Sequence, residues 1–145
     1  MKKIYFLLLV CLLFTSCFNN KLEKTESKNL INKNFSKTFF DQISIDDFKK
    51  ELENPEVVLI DVRTPWELVK FWKIREAQIL ININTNNFVE EINKLNKSKK
   101  YAIYCWHWNR SAVARRLMKE NWFFYAKDLK WWIDSWIATW ENIIK

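Results

Sequence analysis

Glycine is absent from all 145 residues, where average usage of about 7% predicts roughly ten. Collagen-like and glycine-rich low-complexity chains are thereby excluded. Histidine occurs once, as His107, and cysteine only at positions 11, 17 and 105. With one imidazole, no thiol cluster and no grouped carboxylates, the donor set for a metal centre is missing, so no metal or cofactor is expected. Dense basic blocks and arginine stripes are also missing, although 24 basic and 17 acidic residues leave a net charge of +7. A modest positive field of this kind suits small anions, and nucleic acid is not expected as a partner. The longest apolar run, Ile4 to Phe14, is eleven residues, against the 20 or so, roughly, that cross a bilayer as a helix.

What is present is globular composition, 49% hydrophobic and 28% charged. That excludes disorder throughout and a multi-span membrane protein, and the length allows one compact domain with a short appendage. The apolar run follows Lys2 and Lys3 and precedes Thr15-Ser16-Cys17, which reads as an export signal over 1–16. Small residues directly before a cysteine resemble the lipobox of bacterial lipoproteins. The resemblance implies acylation of Cys17 and export of a chain held at the outer side of a membrane by an N-terminal lipid anchor. Residues 17–38, rich in Asn, Lys, Ser, Thr and Glu, read as a flexible tether. Cleavage removes Cys11 and lipidation occupies Cys17, so Cys105 is the one remaining thiol and no intrachain disulfide framework is possible.

From residue 39 onward two periodicities alternate. Val57-Val58-Leu59-Ile60 before Asp61, Gln78 to Ile83, Tyr101 to Tyr104 and Phe123 to Ala126 read as strands, the first apolar enough to be buried on both faces. Ile45 to Leu52, Asn87 to Leu95, Ser111 to Asn121 and Ile133 to Thr139 read as helices, the third with Val113, Ala114, Leu117 and Met118 along one stripe. This alternation predicts an α/β fold, a mostly parallel sheet with helices on both faces. Such folds place ligand chemistry beyond the carboxyl ends of strands. The loop after Tyr104 reads Cys105-Trp106-His107-Trp108-Asn109-Arg110-Ser111 and runs straight into the amphipathic helix. A thiol at a strand end, facing the unpaired amides of a helix start, is a nucleophilic-cysteine arrangement.

Several matches then fall in order along the chain. They are Leu59-Ile60-Asp61-Val62-Arg63-Thr64-Pro65 with Glu67, Ile74 and Ala77, Tyr104-Cys105 with Asn109-Arg110-Ser111, and Asp128-Leu129 leading to Ile133 and Trp136. In this order and spacing the sequence from Gln42 to Ile144 resembles the rhodanese family of sulfurtransferases. The resemblance implies a rhodanese domain over 39–145 in which Cys105 attacks the outer sulfur of thiosulfate or a similar small anionic donor and becomes a persulfide. A cellular thiol or a cyanide-like acceptor then takes that sulfur. Arg110 is expected to hold the donor or the loop, His107 to lie beside the nucleophile, and Asn109 and Ser111 to supply amides and a helix cap. Asp61 and Arg63 are expected to brace the loop. Lys73 and Glu76 replace residues usual in the family. Two other classes stay open: a non-catalytic rhodanese-like module that binds a protein, and a cysteine phosphatase or arsenate reductase of related fold. The latter use five residues between Cys and Arg where this loop has four.

The resemblance also sorts the nine tryptophans. Trp72, Trp108, Trp122, Trp131, Trp132 and Trp140 stand where the family has glycine, and Trp66 and Trp106 where it often accepts glycine. Trp136 alone stands where the family itself has tryptophan. Local physics agrees at two places: Trp122 directly follows a helix, where a left-handed residue is favoured, and indoles at 106 and 108 would obstruct converging loop amides. The expectation is a gene that reads UGA as glycine, translated with a code that reads it as tryptophan. The alternative is a domain whose exposed indoles bind carbohydrate or a membrane interface.

Overall fold

The computed structural model describes residues 28–29, 39–74, 76–106, 109–130, 133–139 and 143–144. The chain divides into two units, 1–38 and 39–145. The signal, the tether and Cys17 lie in the first, outside the described residues apart from 28–29.

The second unit runs β1 (Gln42–Ile43), α1 (Ile45–Glu53), β2 (Val57–Asp61), α2 (Pro65–Lys70), β3 (Lys73–Ile74), β4 (Ala77–Leu80), α3 (Phe88–Asn93), β5 (Lys100–Tyr104), α4 (Arg110–Glu120), β6 (Tyr125–Leu129), α5 (Ile133–Ile137) and β7 (Ile143–Ile144). Five strands form one sheet in the order β1-β6-β5-β2-β4, every pair parallel. The short β3 and β7 pair antiparallel in a separate ribbon. The expected α/β architecture is present.

Strands β2 and β5 lie at the centre of the sheet and are apolar on both sides because both sides are covered. On one face Ile60, Tyr101 and Ile103 pack with Phe88 and Ile92 of α3 and Ala114 and Met118 of α4. On the other, Val57, Leu59, Ala102 and Tyr104 pack with Phe48 of α1 and Ile133 and Trp136 of α5. The period of two along each strand thus feeds two separate cores.

Local signals set the helix starts. Ser44 caps α1 by accepting from the Asp47 amide, and Thr64 with Glu67 forms a reciprocal capping box on α2, with Pro65 in its first turn. Strand β6 differs from expectation: it covers 125–129, where the sequence pattern predicts 123–126. A helix C-cap consumes the residues before it. The Phe123 amide reaches back to the Met118 carbonyl and the Trp122 amide to Lys119, with Trp122 left-handed at φ 65°, which is the Schellman arrangement. Lys127 and Asp128 are tolerated inside the strand because each is paired, Lys127 with Glu51 and Asp128 with Arg115. Strand β4 also stops earlier than the expected Ile83, since the chain bends into the Asn82 to Thr85 turn.

Candidate active site

Cys105 is the first residue past β5, and Asp61 closes the adjacent β2. Both therefore lie at the carboxyl edge of the sheet centre, where the fold gathers its loops. From Cys105 the chain returns through four residues to Arg110, the first residue of α4. Two of those four, His107 and Trp108, lie outside the described residues. Asn109 occupies the helix N-cap in a left-handed conformation, φ 50°, a region asparagine enters more readily than most residues. Its side chain makes no capping bond, unlike the expected role.

Ser111, also expected near the cap, lies inside α4 and points inward. It is buried, and its Oγ accepts from Cys105 Sγ at 3.4 Å and donates to Asp128 Oδ2 at 3.3 Å. Cys105 itself is 8% exposed, so little of it reaches solvent. Trp106 stacks on Phe71 with ring centroids 4.2 Å apart and lies 5.8 Å from the Arg63 guanidinium.

Arg110 is held by a carboxylate. Its Nη1 donates to Glu67 Oε2 at 2.9 Å and its Nη2 to Glu67 Oε1 at 2.6 Å, the two-pronged geometry that guanidinium favours. The same Glu67 accepts from the amide and hydroxyl of Thr64. Hydrogen bonds from Arg110, joined by those from Thr64, outweigh burial and draw the Glu67 carboxyl down from 4.5 to about 2. Arg110 therefore ties the start of α4 to α2.

Asp61 and Arg63 form a second brace beneath the loop. Arg63 Nε donates to both Asp61 oxygens at 3.0 and 2.9 Å, and Nη2 donates to Oδ2 at 2.7 Å, with both side chains fully enclosed. Arg63 Nη1 also donates to the Trp72 carbonyl at 3.0 Å, locking the turn after α2. Burial works against the guanidinium charge, yet the Asp61 hydrogen bonds more than offset it, and the Arg63 pKa moves up. The Tyr104 phenol is pushed upward by burial and by the nearby Asp61 carboxylate. Through these contacts Asp61 and Arg63 bear on the loop's foundation.

Three participants escaped the sequence analysis as site residues: Glu67, Arg115 and Asp128. For Glu67 a signal existed, since Thr64-Pro65-x-Glu67 has capping-box spacing, but nothing local linked it to Arg110. Among the described residues no group of three or more His, Cys, Asp or Glu side chains could hold a metal ion.

A parallel α/β sheet carrying a cysteine at the end of a central strand, with a short loop returning to a helix N-terminus, defines a cysteine-loop domain. The profile of the rhodanese-like domain matches residues 44–138, and the chain belongs to that family. Its fold is similar to that of a rhodanese-related protein from Thermoplasma volcanium, at TM-score 0.61 and 30% identity over 72% of this chain and 98% of that one. The rhodanese-like domain of an Anabaena protein aligns at TM-score 0.61 and 22% identity, covering 71% of this chain and 77% of that one. A Staphylococcus saprophyticus protein aligns at 0.59 and 23%, covering 72% and 99%. At those last two identities the likeness is one of fold alone. No curated protein sequence matches the chain.

Proposed function

We propose that this protein is a sulfurtransferase that passes a sulfane sulfur through a Cys105 persulfide, with thiosulfate or a similar small anion as donor. One observation carries the reading: Cys105 stands at the carboxyl end of β5, separated by four residues from the eleven-residue α4, whose unpaired amides and dipole favour an anion at that point. The thiolate attacks the outer sulfur of the donor. The bond between that sulfur and the sulfonate breaks, its electron pair leaving with sulfite, and the anionic persulfide remains on Cys105. A thiol or cyanide-like acceptor then attacks the outer sulfur, and the electron pair of the S–S bond returns to Cys105 as thiolate. The four-residue loop encloses a smaller space than the five-residue loops of cysteine phosphatases and arsenate reductases, which favours one sulfur atom over a tetrahedral oxyanion. With Arg110 bound to Glu67, the arginine supports the loop shape and adds positive field.

Mixing the protein with thiosulfate and reading the mass of the Cys105 peptide tests the proposal. The expected result is a gain of one sulfur atom, ping-pong kinetics, and loss of both in Cys105→Ser. A chain that gains no sulfur from any small donor is a binding module instead.

Two further readings belong with this one. We infer that tryptophans 66, 72, 106, 108, 122, 131, 132 and 140 are encoded by UGA and inserted as glycine in the source organism. The left-handed Trp122, its indole 86% exposed, supports this at one of the eight positions. UGG codons at these positions would end the idea, and Trp136 should be UGG. We also propose that Cys17 carries a lipid anchoring the exported protein to a membrane. Metabolic labelling with a fatty acid should mark the wild type and not Cys17→Ser.

A further inference from the structure

The two edges of the sheet differ in chemistry, and the proposed transfer uses only the carboxyl edge, where Cys105 and Asp61 lie. At the amino edge β2, β5 and β6 begin level with one another, Val57 beside Lys100 and Lys100 beside Tyr125. The turn that feeds β5 reads Lys94-Leu95-Asn96-Lys97-Ser98-Lys99-Lys100, four lysines in seven residues with no acid among them. Lys94 and Lys100 meet Glu91 and Glu56 at 2.6 and 3.0 Å, surface pairs of a kind that contributes little. Lys97 and Lys99 have no carboxylate partner among the described residues, and Lys97 lies over the Phe123 ring. Pro55, Ser98, Lys99 and Lys100 line a groove of about 340 Å³, room for a phosphate headgroup.

Apolar surface adjoins this turn. Phe124, 49% exposed, donates its amide to the Lys97 carbonyl at 2.9 Å. It packs on Phe39 with ring centroids 5.1 Å apart, and Phe39 meets Tyr125 edge-on at 6.0 Å. Lys119 of α4 lies 5.7 Å from the ring of the neighbouring Phe40. Phenylalanine among lysines suits the boundary between lipid headgroups and acyl chains. Phe39 is also where this unit begins, so residues 17–38 join the domain at the amino edge. A flexible chain of that length spans about 25 Å. With Cys17 lipidated, the edge meets the membrane at an effective concentration on the order of millimolar, where a few charges suffice.

We propose that the amino edge of the sheet is a docking surface for an anionic membrane, with Lys97, Lys99 and Lys100 at the lipid phosphates and Phe124 at the interface. Cys105 then faces the aqueous side. Strand β5 has five residues and is about 16 Å long, whereas salt screens a surface charge over about 8 Å. The nucleophile therefore lies beyond the repulsive field of the lipid, and an anionic donor reaches it unhindered. The choice of a membrane as partner rests on the anchored reading and owes nothing to sulfur transfer.

Lysine footprinting tests the proposal. The full-length chain is mixed with vesicles of phosphatidylcholine alone, or of equal parts phosphatidylglycerol and phosphatidylcholine. It is acetylated briefly with a membrane-impermeant N-hydroxysuccinimide ester and read by peptide mass spectrometry. The apolar run from Ile4 to Phe14 and the Trp122 indole are common to both arms. On the anionic vesicles acetylation of Lys97, Lys99 and Lys100 is expected to fall about fivefold, while Lys70 at the end of α2 and Lys130 just past β6 keep their rates. Salt at about 0.5 M, where the Debye length is about 4 Å, should restore all three rates. Reversing two charges, Lys97→Glu with Lys99→Glu, should abolish the protection of Lys100. No protection of the three lysines, or equal protection of Lys70 and Lys130, overturns the proposal. Protection by polyglutamate in solution but not by anionic vesicles overturns it as well and gives the surface to an acidic protein. If the double variant does not fold by circular dichroism, the wild-type footprint decides alone. Failure of the lipid anchor shows separately, as absence of fatty-acid label at Cys17, and leaves the footprint readable.

Discussion

Arg110 of α4 and Glu67 of α2, 43 residues apart in sequence, are joined by two parallel hydrogen bonds of 2.9 and 2.6 Å. The pair fixes the far end of the loop that begins at Cys105, which follows β5 directly, by tying Arg110 to α2. Thr64 adds two more hydrogen bonds to the same carboxylate. The capping box of α2 and the brace of the loop are thus one structure, and a change in either is felt by both.

Acid should loosen this brace within a defined window. The Glu67 carboxyl titrates at about 2 in the folded protein, against an ordinary 4.5. Its contribution to stability is complete above the unfolded value and is lost as pH falls from about 4.5 through about 2. Urea unfolding at a series of pH values should show that slope in the wild type and a shallower one in Glu67→Gln. Equal slopes would mean that the pair contributes nothing to folding.

Trp122 and Trp136 should respond in opposite directions. Trp136 is 2% exposed and meets Phe48 edge-on at 6.0 Å, so Trp136→Ala should cost about 3–5 kcal/mol in cavity and lost burial. Trp122 is 86% exposed with φ 65°, so Trp122→Gly should stabilise by about 1 kcal/mol through relief of the left-handed backbone. Trp122→Ala, which keeps a Cβ, should gain little. Denaturant midpoints of the three variants distinguish backbone relief from removal of the indole.

Cutting one side of the Asp61–Arg63 pair strands a buried charge. Arg63→Met should therefore lower stability by about 3–5 kcal/mol. Arg63→Lys keeps the charge but not the fork that reaches Asp61 and the Trp72 carbonyl together, and should fall between. A calorimetric Tm unchanged in Arg63→Met would remove the pair from the foundation of the loop.

Particular segments show why some of this was legible in advance. Val57 to Ile60 and Tyr101 to Tyr104 read as central strands because burial on both faces leaves no polar position in them, and α4 was readable from its Ala114 and Met118 stripe. Strands β1, β3 and β7 have two residues each, too few for any period. Helix α2 has six residues and buries only Glu67, so its cue was a capping pattern and no apolar stripe. The late start of β6 depended on a C-cap that takes two residues, Trp122 and Phe123, from what looked like a strand.

The order of chemical groups around Cys105 was written locally, since a thiol, a short loop and a helix start are neighbours along the chain whatever the rest does. Pairing was another matter. Glu67 meets Arg110, Asp128 meets Ser111 and Arg115, and Gln42 reaches Asp128 across 86 residues. Hydrogen bonds act over about 3 Å, and only the parallel stacking of β1, β6, β5 and β2 brings such distant residues that close.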